Sequence, residues 1–357
     1  VISGLALPPD RLAEGVRAIL KAHGAHGEVA ADVARALVDT SRHGIDSHGV
    51  ALLPRILDRV KNGRCQIESP VRSLEGYEDK AVAILDAGLA PGQHAGLAGA
   101  RLAIERARRF GVGYAAIRNS THFGACTPYV LHIVKAGMVA LVGSNSTMSM
   151  AAFESPFVNL GNNPLGFGAP CAGADPVVFD FSCGIMSFGR LKALRAEGKD
   201  APAGAFVRPV TRPGSDPVYE VAGTLTEAAT PFGGYKGASI AFMVDVLAGV
   251  LGGGYFGART ETMEGSRFLG PSHFITAWDP GVTLGSAEAL GERMHELAAD
   301  VTGGDAGVRL PGKRSGECRR TRQRTGIPVD RALLDELRQL CSHAGVPADF
   351  LDQNVGA

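Results

Sequence analysis

Residues 99–125 read GARLAIERARRFGVGYAAIRNSTHFGA. Apolar residues at helical spacing run to Phe110, Gly111 interrupts them, and residues 113–118 form a short strand. Gly111-Val112-Gly113-Tyr114-Ala115-Ala116 imitates a dinucleotide fingerprint. That fingerprint works only when a strand leads into the glycines and a helix follows, because the helix N-terminus meets the pyrophosphate. Here the order is inverted, so Gly111 is read as a helix C-cap feeding a strand. No GxxxxGK[ST] loop exists either, and a standard Rossmann turn is excluded.

Working outward, residues 8–44 read as two helices. Leu12, Val16, Ile19 and Leu20 keep one stripe, and Val29, Val33, Leu37 and Val38 the next. A third helix carries Val50, Leu53, Ile56, Leu57 and Val60, with Pro54 marking its first turn. Strands are expected at 81–86, 113–118, 138–143, 176–181 and 274–278. Helices are expected at 99–110, 128–136, 239–251, 287–300 and 330–343. This alternation predicts an α/β (α+β) fold with helices packed on a sheet. Residues 192–219 carry APAG and TRPGSDP and read as a long excursion.

Composition narrows the function classes. A chain of 357 residues with 45% hydrophobic content can bury a real core. Its formal net charge of +0 leaves no basic surface for nucleic acid and no polybasic membrane patch. No apolar run approaches the roughly 20 residues of a membrane helix. The opening VISGLALPPDRLAEG has no basic start before an apolar core, so no secretory leader is expected. The six cysteines form no CxxC pair, which argues against a disulfide framework or a zinc knuckle. A reducing, cytoplasmic setting is the expectation. No HExxH and no convincing metal-ligand spacing occur, and GxSxG is absent.

Two histidines lie in glycine-flanked polar clusters. In His43-Gly44-Ile45-Asp46-Ser47-His48-Gly49, Asp46 or Ser47 could cap the following helix, placing His48 in its first turn. The helix N-terminus would then keep His48 neutral. A simple capped turn is the competing reading. Asn119-Ser120-Thr121-His122-Phe123-Gly124-Ala125 follows a strand end, where α/β sheets present ligands; a polar turn capped by Thr121 is the alternative. His132 reads as a packed helix residue, His23 and His26 as helix-end residues, and His94 stays open. Residues 159–168, NLGNNPLGFG, read as a turn dense in amides. PFGGYKG, 231–237, sets Lys236 at a helix mouth. RLPGKR, 309–314, is a basic turn able to hold phosphate.

IDSHGV, STHFGA, GNNPLGFGAP, VVFDFS, PFGGYKG and RLPGKR, in that order, resemble the type-2 malate/L-lactate dehydrogenase family over residues 5–345. The resemblance implies NAD, with NADP as an alternative, a non-Rossmann mixed-sheet cofactor domain and a homodimer. It implies a helical domain built from 1–72 with 288–357, and a cofactor- and substrate-binding domain over 73–287. His48 matches the proton donor to the substrate carbonyl and Ser47 its supporting neighbour, while His122 is a second acid/base candidate. His122, Phe123, Gly124, Ala125, Cys126, Ser146, Asp180, Phe181, Ser182, Tyr235, Lys236, Pro311, Gly312, Lys313 and Arg314 match cofactor-contacting segments. Asn162 matches a substrate-side position. No metal is implied.

Two departures bear on the substrate. Many members carry an arginine four residues after the motif histidine; here it is Leu52, and the nearest cation is Arg55. The imine-reducing branch has a relay aspartate where this chain has Arg190. The expected activity is hydride transfer between a nicotinamide and C2 of a small 2-hydroxy or 2-oxo acid, with Arg190, Lys236 or Arg55 on the carboxylate. The alternatives are a cyclic ketimine reductase of the same family and a catalytically silent NAD(H)-binding protein. A hydrolase built on Ser47 and His48 is disfavoured, because neighbours at i and i+1 do not face each other on a helix.

Overall fold

The computed structural model describes residues 5–210, 227–264, 266–305 and 307–352. The N-terminal part holds β1 (Leu5–Leu7), α1 (Pro9–Ala22), α2 (Gly27–Arg42) and α3 (Leu53–Lys61). There follow β2 (Arg72–Ser73), β3 (Val82–Asp86), α4 (Gly92–Phe110), β4 (Val112–Arg118), α5 (Thr127–Val134) and β5 (Val139–Ser144). Next come β6 (Met148–Met150), β7 (Leu160–Gly161), β8 (Leu165–Ala169), β9 (Val177–Phe181), α6 (Phe188–Ala196), β10 (Phe206–Val207) and β11 (Ala228–Ala229). The rest is α7 (Tyr235–Asp245), β12 (Thr262–Glu264), β13 (Arg267–Leu269), β14 (His273–Trp278), α8 (Pro280–Thr283), α9 (Ala287–Thr302), α10 (Lys313–Thr325), β15 (Ile327–Val329) and α11 (Arg331–Ala344).

Among the described residues the largest sheet has the order β2-β3-β4-β14-β5-β8-β9. Within that sheet only β3 and β4 pair in parallel. Strand β14 comes late in the chain yet lies antiparallel between β4 and β5, setting His273 opposite Ile117 on one side and Ser144 on the other. The result is an α/β mixed sheet with no Rossmann order. Helices α4 and α5 cover one face through Leu97, Ala100, Tyr129 and Ile133. Helix α7 covers the other through Val244, against Leu165 and Phe274.

The small residues of 99–113 are explained by this packing. Gly111 caps α4 in the left-handed region at φ 82°. A Cβ on Gly113 would stand 2.0 Å from the Ala103 carbonyl oxygen, so β4 can approach its helix only without a side chain there. The glycines of the false fingerprint are thus a cap and a close contact.

A separate apolar cluster joins both ends of the chain. Leu12, Val16, Ile19, Leu37 and Leu53 pack with Ile327, Val329, Leu337, Phe350 and Leu351. Strand β1 pairs antiparallel with β15, Leu5 opposite Val329. Helix α9 sits apart from this cluster, its Gly291 carbonyl accepting from the Ala172 N–H at 2.9 Å.

Besides several short strands, three elements differ from the sequence reading. Residues 313–325 form α10, where only a basic turn was expected at its start. Its sequence is polar throughout and buries only Gly316, so no apolar stripe announced it. Ion pairs of Arg322 with Asp46 and Arg320 with Asp175 hold it. Residues 165–169, read as part of a turn, form β8, because Gly166 and Gly168 lie hard against Cys126 and Val130 of α5. Helix α6 occupies the start of the expected excursion, and residues 211–226 of that segment lie outside the described residues.

Helix α7 continues into a π turn at 246–250. The Tyr114 hydroxyl donates to the Leu247 carbonyl at 2.6 Å, drawing it off the α ladder. No described helix is long and apolar enough to cross a membrane.

Replacing Gly113 with Ala would overpack the α4–β4 contact. The expected loss is about 3 kcal/mol, read as a lower urea midpoint at unchanged m-value; an unchanged midpoint would contradict the packing described.

Candidate active site

The first histidine cluster leaves α2 through a left-handed Gly44 and makes a 3-10 turn at Asp46–His48. Neither Asp46 nor Ser47 caps the next turn. That role falls to Ser41, whose Oγ accepts the Val50 N–H at 3.0 Å. Asp46 instead pairs with Arg322 of α10. The Ser47 hydroxyl lies 2.9 Å from His48 Nδ1. The expectation that i and i+1 side chains cannot meet assumed a regular α-helix, and the tighter turn removes it.

In the second cluster, Thr121 caps a neighbour's helix. Its Oγ1 accepts the Gly92 N–H at 2.9 Å, at the start of α4. His122 Nδ1 accepts the Gly124 N–H at 3.3 Å. Gly124 is left-handed at φ 80°, and a Cβ there would stand 3.3 Å from the His48 carbonyl oxygen. The two loops therefore touch, and the His48 and His122 rings lie 5.8 Å apart. Phe123 is sandwiched by Tyr129 at 4.8 Å and His273 at 4.3 Å. His273 lies between Ser144 Oγ at 2.7 Å and Ser120 Oγ at 2.8 Å.

Both candidate rings are held neutral. Burial pushes His48 down, Arg55 adds to this, and Asp180 opposes it. The cause is thus burial rather than the helix N-terminus expected from sequence. Burial takes His122 down to about 4, helped by His48, Arg59 and Arg55 and opposed by Glu261. Burial raises Asp180 even though its Oδ2 accepts from both Thr127 N–H and Thr127 Oγ1 at 2.8 Å. Burial would raise Glu261 too, but Arg59, His122 and Thr147 hold it down to about 2.

Arg59 and Glu261 were not singled out from sequence. Arg59 Nη2 meets Glu261 Oε1 at 2.7 Å, and Glu261 Oε2 accepts from Thr147 Oγ1 at 2.7 Å. Arg59 follows Arg55 by one helical turn, a signal the spacing did contain. Glu261 has none, since its partner lies 202 residues away. Asn163, beside the expected Asn162, was also passed over. Its Oδ1 accepts the Ser146 N–H at 2.9 Å and its Nδ2 donates to the Ala241 carbonyl at 2.8 Å.

The other expected residues spread from this centre. Asn162 Oδ1 accepts the Gly184 N–H at 2.8 Å. Phe181 packs on Phe179 and Phe232, and Cys126 is buried with its thiol pushed well up by burial and Asp180. The 311–314 turn lies on the edge strand β9, the Pro311 carbonyl accepting the Val178 N–H at 3.3 Å. Beside it a cavity of about 220 Å³ opens between α2, α5 and α10, lined by Arg42, Thr127, Lys135, Val178, Gly312 and Arg319. Tyr235 is 70% exposed at the start of α7, with Lys236 exposed beside it. Arg190 is exposed in the first turn of α6, while Gly189 lies against Ser47. No hydrogen bond or ion pair joins Arg190 or Lys236 to either ring among the described residues. Nor do those residues contain a cluster able to hold a metal ion.

A family model described as malate/L-lactate dehydrogenase matches residues 7–338. The chain is 33% identical to a (2R)-3-sulfolactate dehydrogenase (NADP(+)) of Chromohalobacter salexigens, over 85% of this chain and 89% of that protein. It is 30% identical to a Delta(1)-pyrroline-2-carboxylate/Delta(1)-piperideine-2-carboxylate reductase of Pseudomonas putida, over 94% and 96%. The crystal structure of malate dehydrogenase from Entamoeba histolytica superposes with a TM-score of 0.87 at 24% identity, covering 97% of this chain and 99% of that one. At that identity the likeness is one of fold.

The buried histidines set an acid limit. His122 and His132 are pushed down to about 4 and His273 to about 3, each chiefly by burial. In the unfolded chain all three would titrate near 6.5. Between these values the unfolded chain binds more protons, so this stability is present above about pH 6.5 and is lost as pH falls. Each group contributes a slope of at most about 1.4 kcal/mol per pH unit. The urea midpoint should fall between pH 7.5 and 5, and less steeply in His273→Asn. A midpoint flat over that range would refute the assignment.

Proposed function

This chain belongs to the malate/L-lactate dehydrogenase family, and we propose that it transfers a hydride between a nicotinamide cofactor and C2 of a small 2-hydroxy or 2-oxo acid. The observation that carries the reading is the pair of neutral histidines 5.8 Å apart, with Arg55 acting on both.

The residues present fit such a cofactor. Gln93, 1% exposed, has both amide atoms buried without a partner and lies beside Gly124. That leaves a donor and an acceptor for a polar ring substituent. The cavity at the N-terminus of α10 offers a phosphate Lys135 and the helix end, while its Arg42 and Arg319 face Asp39 and Asp175 of the same lining. When bound, the nicotinamide supplies or accepts the hydride. We assign NAD or NADP to this path, from His122 past Asp180 to 311–314. We also assign a homodimer, supported by the exposed apolar residues Tyr235, Phe242 and Met243 of α7.

The two histidines take different roles. His122 Nδ1 is committed to the Gly124 N–H, so its proton sits on Nε2. With a pKa of about 4 it stays neutral and serves as a hydrogen-bond donor to the carbonyl oxygen. His48 supplies the proton. As hydride adds to C2, the C–O π pair moves onto oxygen, which takes the Nε2 proton of His48. In the same step Nδ1 takes the Ser47 hydroxyl proton, so no imidazolate forms, and Ser47, which is exposed, recovers a proton from water. No imidazolium is required. Arg55 pairs with the carboxylate.

A second reading, reduction of a cyclic ketimine carboxylate, is favoured by the identity to the Pseudomonas putida reductase. NADH and NADPH oxidation with pyruvate, oxaloacetate, sulfopyruvate and Δ1-pyrroline-2-carboxylate separates the two, and no oxidation with any of them counts against both. His48→Asn should lower kcat by about 100-fold or more. Arg55→Gln should act mainly through KM for the acid. Full kcat in His48→Asn would end the assignment of the proton to that ring.

A further inference from the structure

We infer that the substrate carries a single carboxylate and a methyl-sized side chain, and that Leu52 together with the Arg59–Glu261 pair excludes a second anionic group. This rests on the hydride-transfer reading above and specifies its substrate.

A small pocket of about 10 Å³ adjoins His122, bordered by Leu52, Arg55, Ile56, Arg59 and Cys65. That volume holds one water- or methyl-sized group. Leu52 and Ile56 are each 8% exposed and present hydrocarbon. The Cys65 thiol, pushed up to about 12 chiefly by burial, is neutral. Arg59 looks like a second anion receptor, but Glu261 offsets its charge. Its guanidinium lies 2.7 Å from Glu261 Oε1, both side chains being largely buried at 15% and 9% exposure. Thr147 takes the second carboxylate oxygen. Glu261 holds this position with a left-handed backbone, φ 58°, which a non-glycine residue adopts only when its surroundings impose it. Turning Arg59 toward a substrate would strand a buried carboxylate.

The remaining cation of the pocket is Arg55, which has no hydrogen bond or ion pair among the described residues and lies within electrostatic reach of both rings. It supplies one anion site, at the pocket mouth. A carboxylate or sulfonate at C3 of the substrate would face Leu52 and Ile56, where a charge finds no partner.

The test is kcat/KM for pyruvate, oxaloacetate, sulfopyruvate and Δ1-pyrroline-2-carboxylate, on wild type, Leu52→Arg and Glu261→Gln. Wild type should prefer pyruvate by at least ~50-fold. Leu52→Arg adds a cation to the apolar wall and should raise kcat/KM for oxaloacetate at least ~10-fold relative to pyruvate. Glu261→Gln frees Arg59 and should move the ratio the same way. Near-UV circular dichroism and a cofactor titration by NADH or NADPH fluorescence check that each variant is folded. Oxaloacetate or sulfopyruvate turned over as well as pyruvate would overturn the inference and leave the hydride-transfer reading standing. An unchanged ratio in both folded variants would also overturn it. Turnover of the imine alone, or of nothing, would remove the 2-oxo acid reading together with it.

Discussion

Both ring nitrogens of His273 are bonded to hydroxyls, Ser144 at the end of β5 and Ser120 just beyond the end of β4. A neutral imidazole can donate at one and accept at the other, and an interior this dry allows no other state. That single ring fastens the ends of two strands across β14. Its face supports Phe123, and the Tyr129 hydroxyl in turn donates to the Phe123 carbonyl. The 120–124 turn is therefore fixed from below. Its upper side is free to set His122 and the left-handed Gly124 against the loop carrying His48.

Charge follows the same logic on a larger scale. Several interior carboxylates have a cation at hand. His94 meets Asp32 at 2.8 Å, Arg101 closes on the same carboxylate, and Arg59 meets Glu261. The His48 and His122 rings have no such partner at contact distance and stay uncharged. Proteins sharing this fold include a malate dehydrogenase and a piperideine-carboxylate reductase.

The parts legible in the sequence were those whose determinants are local. Gly111 and Gly113 dismissed a Rossmann turn because strand and helix order is a local property. The glycine-flanked loops around His48 and His122 stood out because tight turns need particular residues at particular places. Apolar stripes marked α1 to α3 and α11. Helix α10 was missed because ion pairs to Asp46 and Asp175, distant in sequence, hold it. Strand β8 was missed because its glycines answer to α5, not to a turn. His273 and Glu261 depend wholly on partners more than 100 residues away, and no window of sequence contains that information.

The thiols around the site share one condition. Cys65 and Cys183 are pushed up to about 12 and Cys126 well above its ordinary value, in each case chiefly by burial. Oxidants and electrophiles attack the thiolate, and at physiological pH these three scarcely form it. Peroxide or an alkylating agent therefore finds its more accessible sulfurs elsewhere, at the half-exposed Cys171 and Cys318. The buried Cys65, Cys126 and Cys183 are in this way sheltered from oxidative inactivation.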